Sequence, residues 1–146
     1  YPDQTTFDIK MNLLICFVLI LATYYRFGTA CSPNSVEIHN QLGPDIILHF
    51  HCRCKNPKCD VGNQQLKFKD SYFNKKKERS PINFERQEIN CLLRYDKYNL
   101  DVRVYRQAAF RRCGILRSWL AEKDGIYFKT RRNETWRFRY HWNVSK

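Results

Sequence analysis

A tight group of potential metal ligands lies between His49 and Cys59: His49, His51, Cys52, Cys54 and Cys59. Imidazole nitrogen and thiolate sulfur are donors that zinc prefers, but a structural zinc needs four of them in a tetrahedron, usually as two spaced pairs. Cys-x-Cys with no second distant pair does not supply that set, so no metal is expected. The same histidines invite a second chemistry. A small basic ribonuclease needs two imidazoles as acid and base, and a cation to stabilise the charged phosphorane. His49 and His51 would share one strand face, about 7 Å apart along it, whereas opposed acid and base groups are normally presented from different elements. His39 and His141 stand in no recognisable motif. No combination of nucleophile, base and orienting group can be read, so the expectation is no catalytic residue, no cofactor and no enzymatic activity.

The third chemistry is electrostatic. Lysines and arginines number 26 against 14 aspartates and glutamates, a formal charge of +12. Such an excess predicts an anionic partner: a cell-wall or other extracellular polymer, a membrane surface, nucleic acid or an acidic loop of a cell-surface receptor. Arg131-Arg132 and the row Arg137, Arg139, His141 concentrate charge near the end of the chain, interleaved with Trp136, Phe138, Tyr140 and Trp142. A nucleic-acid groove would need those aromatics exposed for stacking. Strict alternation instead sends them to the core and the arginines to solvent, so nucleic acid is not expected. The basic row then either steers the protein to its partner or keeps it soluble.

What carries these groups begins with an apolar run, Asn12 to Tyr25, too short and too early for a bilayer span. Met11 is the one methionine and the expected start, with Tyr1 to Lys10 as upstream translated sequence. Gly28 and Ala30 occupy the small-residue positions before a cut, so residues 1–30 are expected to be upstream residues plus a cleaved signal peptide. Residues 31–146 would form one secreted domain, expected as a monomer with no membrane span. Of seven cysteines, Cys16 leaves with the signal; Cys31, Cys52, Cys54, Cys59, Cys91 and Cys113 remain. An even number in a secreted chain reads as disulfides, in a connectivity that sequence cannot choose. Each bridge would contribute about 2–4 kcal/mol. Asn133-Glu134-Thr135 and Asn143-Val144-Ser145 are candidate N-glycosylation sites, the first in a polar stretch suited to a loop.

Period-two alternation recurs through the domain and sustained helical periodicity does not. Val36 and Ile38 alternate with polar residues, and Ile46, Leu48, Phe50 and Cys52 oppose Ile47, His49, His51 and Arg53. Leu66 and Phe68, then Tyr72 and Phe73, mark shorter strands; Ile89 to Tyr95, Leu100 to Val104 and Ile115 to Ala121 follow. Lys123-Asp124-Gly125 is a turn, and Trp136 to Trp142 the last strand. The class is all-β: a small antiparallel β-sandwich of about eight strands, stabilised by disulfides.

The order of these landmarks resembles the plant self-incompatibility S-protein homologue family, from Val36 to Trp142. Val36 to Gly43 is similar to its opening strand, where an Asn precedes a Leu; His51-Cys52 resembles its His-Cys pair, and Asp60-Val61-Gly62 the acidic residue and glycine beyond. Phe73, Cys91, Asp101 to Tyr105, Cys113, Trp119 and the turn Asp124 to Tyr127 follow in the family's order. Arg117 stands where the family usually has a cysteine two residues before the tryptophan, while Cys31, Cys54 and Cys59 are additional. One of these would substitute as the lost partner, and Cys54 with Cys59 could close a local loop. The resemblance implies a non-enzymatic β-sandwich acting as an extracellular ligand for a cell-surface receptor, pollen rejection being one such role. Its determinants would lie in the loops Lys55 to Lys58, Lys75 to Arg79 and Tyr95 to Asn99. The alternative is a cationic secreted defence protein acting on membranes or RNA.

Complete pairing has a direct check. The unreduced secreted protein should gain no mass from a thiol-alkylating reagent, and two alkylated cysteines would exclude a three-bridge domain.

Overall fold

The computed structural model describes residues 4–28, 32–55, 59–76, 86–109 and 112–145. The chain divides into two compact units, Tyr1–Cys31 and Ser32–Lys146. The first contains one helix, α1 (Gln4–Gly28), which continues through Met11. Among the described residues no helix is long and apolar enough to cross a membrane. Thr29, Ala30 and Cys31, at the expected cleavage point, lie outside the described residues.

The second unit is the expected β-sandwich, with ten strands among the described residues where the sequence predicts about eight. They are β1 (Asn34–Asn40), β2 (Leu48–Cys54), β3 (Asn63–Leu66), β4 (Ser71–Lys76), β5 (Glu88–Tyr95), β6 (Tyr98–Arg106), β7 (Leu116–Glu122), β8 (Gly125–Lys129), β9 (Arg137–Tyr140) and β10 (Asn143–Val144). One five-stranded sheet runs β4-β1-β7-β8-β9 and the other β10-β6-β5-β2-β3. Pairing is antiparallel except between β1 and β7, which run parallel with Ile38 opposite Trp119. A parallel pair needs a long crossover, and here it includes all of β2 to β6.

Alternation delivers the core. Val36 and Ile38 from β1 and Trp119, Ala121 and Ile126 from β7 and β8 meet Leu48, Phe50, Cys91, Leu93, Val102 and Val104 from the other sheet. Each fully buried aliphatic or aromatic side chain contributes about 1.5–3 kcal/mol. Cys52 and Cys91 face each other directly across β2 and β5, both buried, and form a disulfide. β7 is buried on both faces, because it is central in its sheet and the β8–β9 connection reaches its outer side.

Two buried asparagines satisfy backbone groups where strands end. Asn40 Nδ2 donates to the carbonyls of Ile46 and Leu66, both at 2.9 Å, and its Oδ1 accepts the N–H of Leu42. Asn34 Nδ2 donates to Arg112 O at 3.2 Å while its Oδ1 accepts Ile115 N–H at 2.8 Å. The connection 107–115 is thereby tied to the start of β1.

Strand polarity sorts the connections. The tight turns at Asp96-Lys97 and Lys123-Asp124, together with 41–47 and 67–70, lie at one end of the sandwich, where the Tyr95 hydroxyl donates to Lys123 O. The connections 55–62, 77–87, 107–115 and 130–136 leave from the other end.

The last strand corrects the sequence expectation. β9 is an edge strand with all four residues exposed, Phe138 at 44% and Tyr140 at 38%. It is paired on one side only, to β8, and all four of its side chains are left open to solvent. Trp136 instead packs outside, edge-on to His39 at 5.7 Å and under the Lys129 ammonium at 4.3 Å. Trp142 turns onto Tyr95 and donates its indole N–H to Glu122 O at 2.7 Å. Gly125 permits the close approach of β9, because a Cβ there would collide with the Tyr140 carbonyl and the Phe138 ring.

Removing the Asn40 side chain should expose how much these ties matter. Asn40→Ala leaves buried donors and acceptors unpaired and should lower the unfolding free energy by about 2–4 kcal/mol in urea titration. Half-exposed Asn74→Ala should stay within about 1 kcal/mol of the parent protein.

Candidate functional site

The arginines of the second unit are far apart in sequence, yet the fold gathers six of them. Arg103 and Arg106 come from β6, Arg117 from β7 and Arg139 from β9, joined by Arg86 ahead of β5 and Arg112 from the 107–115 connection. They line an open cavity of about 350 Å³ whose remaining wall includes Trp119, Phe128 and Tyr140. Among the described residues no aspartate or glutamate lines it. Arg103 lies 3.6 Å from the Glu88 carboxylate, whereas Arg86, Arg106 and Arg139 have no carboxylate partner among the described residues.

Two bulges build this cavity. Between β5 and β6 the register slips so that Val104 is the extra residue, opposed by none. Its carbonyl accepts the indole N–H of Trp119 at 3.2 Å, and Val104 and Tyr105 are both buried while Arg103 and Arg106 stay exposed. Between β8 and β9 the extra residue is Arg139. Bulges commonly re-aim a side chain at a sheet edge, and this one brings Arg139 to the cavity beside Tyr140. Arg112 and Arg117 both donate to the Arg106 carbonyl, at 3.0 and 3.4 Å. The Arg117 guanidinium also lies 5.4 Å from the centre of the Tyr105 ring. Trp119 packs 4.5 Å from Phe128 and stacks 6.3 Å from Tyr140. The guanidiniums thus surround an aromatic cluster in which Trp119 itself is buried.

A second polar cluster lies on the outer face of the β1-bearing sheet. Ser118 Oγ is 3.0 Å from His39 Nε2 and 3.1 Å from Glu37 Oε2, the three residue types of a serine hydrolase. The geometry is not that of a triad, which places acid and serine on opposite nitrogens of the imidazole. Here Glu37 meets the same Nε2, at 3.2 Å, and Ser118 is 0% exposed. Glu37 also receives Arg132 at 3.0 Å. The cluster ties the β8–β9 connection down onto the sheet.

That connection is further stiffened by Glu134, whose carboxylate accepts the Thr130 N–H and hydroxyl, both at 2.9 Å. These bonds, the backbone one foremost, hold its carboxyl below the usual range. Asp60 does the same for the connection 55–62: the Gly62 N–H, then a 2.7 Å bond to His51, lower its carboxyl. A depressed folded value means that the stabilisation is present above the ordinary aspartate range and fades as pH falls through the depressed one.

The other residues singled out in the sequence are dispersed. Cys52 and Cys54 are both in bridges, Cys54 with Cys59, so their sulfurs offer no thiolate to a metal. Cys113 is disulfide-bonded as well, although Arg117 occupies the position of a family cysteine. Cys31 lies outside the described residues, and Cys16 of α1 is a free thiol. His49 is exposed, His51 is engaged by Asp60, and His141 packs against Phe138 at 4.6 Å. Asn133 is exposed on the β8–β9 connection. Asn143 pairs with Asn99, and Ser145 of its sequon accepts the Asn99 amide. Of the nominated loops, Asn56 to Lys58 and Lys77 to Arg79 lie outside the described residues. Tyr95 to Asn99 is a tight hairpin at the opposite end from the other two. The arginine cavity is not visible as a motif, since its members span residues 86–139; of the six, only Arg139 belongs to the basic row that the sequence singles out.

The family model of the plant self-incompatibility protein S1 matches residues 35–142. S-protein homolog 14 of Arabidopsis thaliana is 34% identical over 145 residues, covering 93% of this chain and 100% of the relative. S-protein homolog 25 of the same plant is 38% identical over 128 residues, covering 84% and 91%. A solved structure of the SPH (Self-Incompatibility Protein Homologue) proteins, described as a widespread family of small, highly stable, secreted proteins from plants, aligns with a TM-score of 0.61. It is 32% identical and covers 79% of this chain and 98% of its own.

The Ser118 arrangement has its own check. A serine-directed fluorophosphonate should leave Ser118 unmodified in the folded protein, and labelling that His39→Ala abolishes would show a working nucleophile.

Proposed function

The chain is a secreted member of the plant self-incompatibility protein S1 family, and on that premise we propose that it acts as an extracellular ligand for a cell-surface receptor. The observation that carries this reading is the sorting of the connections. Four of them, 55–62, 77–87, 107–115 and 130–136, leave one end of a rigid sandwich, while 41–47, 67–70 and the tight turns at 96–97 and 123–124 lie at the other. Binding loops on a scaffold of packed sheets are the usual way such a fold recognises a partner. Bridges at Cys54–Cys59 and at Cys113 restrain two of the four connections, which lowers the entropy lost on binding. The site chemistry supports recognition over catalysis: a guanidinium has no proton to give near neutral pH and no lone pair with which to attack. The protein is proposed to work as a monomer, and pollen rejection is one outcome that such a signal would serve.

The test is a loop exchange. Fluorescently labelled protein should bind the surface of responsive plant cells saturably, and protease treatment of those cells should abolish the binding. Exchanging 107–115 for the matching segment of S-protein homolog 14 should change which cells are bound, whereas altering Asp96-Lys97 should not. Unchanged cell preference after the exchange would defeat this reading. Lysis of lipid vesicles or cleavage of RNA at the same concentration would replace it with the defence alternative.

A further inference from the structure

We propose that the open edge of β4 takes an added strand from a protein partner, an extended acidic segment that sets an apolar side chain beside Phe73. This goes beyond the receptor reading, which rests on the connections at one end of the sandwich, and it stands whether or not that reading does.

Which main-chain groups are open follows from the bonds of β1. The Ser35 N–H bonds to Ile115 O and the Gln41 N–H to Ala121 O, so the odd-numbered residues of β1 turn toward β7. Asn40 turns the other way: its N–H bonds to Asp70 O and its carbonyl accepts the Lys69 N–H. In an antiparallel pair, opposed residues exchange both hydrogen bonds or neither. Tyr72, Asn74 and Lys76, opposite Ile38, Val36 and Asn34, are therefore spent on β1. Ser71, Phe73 and Lys75 lie opposite His39, Glu37 and Ser35 and direct N–H and C=O away from the sheet. Among the described residues no main-chain bond outside the ladder reaches these three. Their side chains are also the exposed ones of β4, Phe73 at 47%.

The other edges among the described residues do not serve. β9 is interrupted by the Arg139 bulge, and β10 spans only Asn143–Val144. Past Asn99, the Val104 carbonyl of β6 is taken by Trp119 and the Arg106 carbonyl by Arg112 and Arg117. β3 has four residues and ends at Leu66, whose carbonyl is held by Asn40. β4 runs six residues with no register shift and no proline. An edge of that kind is a template for another chain, and peptides add to sheets through just such main-chain bonds.

Charge selects the chain that can add. Lys67 and Lys69 precede β4 and Lys75 and Lys76 end it, against one acid in the same stretch, Asp70. Among the described residues none of these lysines is in an ion pair. Lysine on an edge strand is a common guard against self-pairing. Here the lysines flank the edge and leave Ser71 to Asn74 uncharged, so they repel a second copy of this chain and attract a strand with acidic ends. Between them Phe73, with the Lys75 ammonium 5.9 Å from its ring centre, offers the apolar contact. A residue opposite Phe73 on an added strand would have its side chain on the same face.

The experiment uses the secreted protein and a short fluorescent peptide, valine and threonine alternating in its centre and glutamate at both ends. Anisotropy gives the affinity, and amide hydrogen exchange reads where the strand adds. The peptide should bind, and the amide protons of Ser71, Phe73 and Lys75 should slow in exchange while those of β9 do not. N-methylating the central peptide amides should weaken binding at least about tenfold, as should replacing glutamate by lysine. Phe73→Ala, at an exposed position, should weaken it at least about fivefold, whereas Phe138→Ala on the opposite edge should alter it less than about twofold. The inference is overturned by no binding, by binding that survives N-methylation, by equal weakening in the two variants, or by protection at β9 instead of β4. Slowed exchange at β4 that grows with protein concentration in the absence of peptide also overturns it, because a second copy then fills the edge.

Discussion

One hydrogen bond joins the two sheets at the point where the functional end is built. The Trp119 indole of β7 donates to the Val104 carbonyl of β6, across the interior of the sandwich. A ladder carbonyl would not be available for that bond. Val104 is the extra residue of a bulge on a stretch of β6 that β10 does not cover, and the bulge also turns Tyr105 into the core. Tyr105 then lies beneath the Arg117 guanidinium and within 3.5 Å of Asn34 Nδ2, whose amide group holds the connection 107–115. Core packing, loop position and cavity floor therefore meet in a single buried polar contact. Such a bond, shielded from water, is costly to leave unmade, which makes its geometry a constraint on everything packed around it.

Alternation was readable where a strand has one dry face. Val36 and Ile38, Leu48, Phe50 and Cys52, and Cys91, Leu93 and Tyr95 all point inward as their spacing predicts. The same logic failed at β9, where aromatic and basic residues alternate just as cleanly. Period two reports that two faces differ in character; it does not report that either is covered. An exposed edge strand keeps its pattern without a core to use it. β7 hides in the opposite way: Ser118 and Leu120 are buried opposite Trp119 and Ala121, because a later connection covers the outer face through Arg132 and Glu37. Neither outcome is local, so neither is written in the strand's own residues.

Charge was legible in amount but not in place. The excess of cations is plain from composition, and the row ending at Arg139 drew attention to the last strand. The six cavity arginines come from five separate segments, and what unites them is topology. Two bulges, a parallel β1–β7 pair and a glycine that lets β9 approach are all needed before Arg139 and Tyr140 can face Arg103 and Arg106. Arg117 illustrates the difference between a pattern and a structure. As a departure from a family cysteine it suggested an orphaned bridge, yet Cys91 is paired with Cys52 and Cys113 is bridged as well. The arginine occupies the inward position as a cation stacked on Tyr105.

Rigidity gives these placements their functional meaning. A flexible basic loop can neutralise many anions weakly, because each partner must bear the entropy of ordering it. Arg112 does not sit on such a loop: its carbonyl is held by Asn34, its neighbour Cys113 is bridged, and its guanidinium is fixed to Arg106 O. Arg117 and Arg139 are set by strands, and Arg106 by the end of β6 next to the Gln107–Gln87 hydrogen bond. A bridged loop, buried amides and strand ends thus fix the guanidiniums that line the cavity in place before any partner arrives, so a partner that meets them need not order them first.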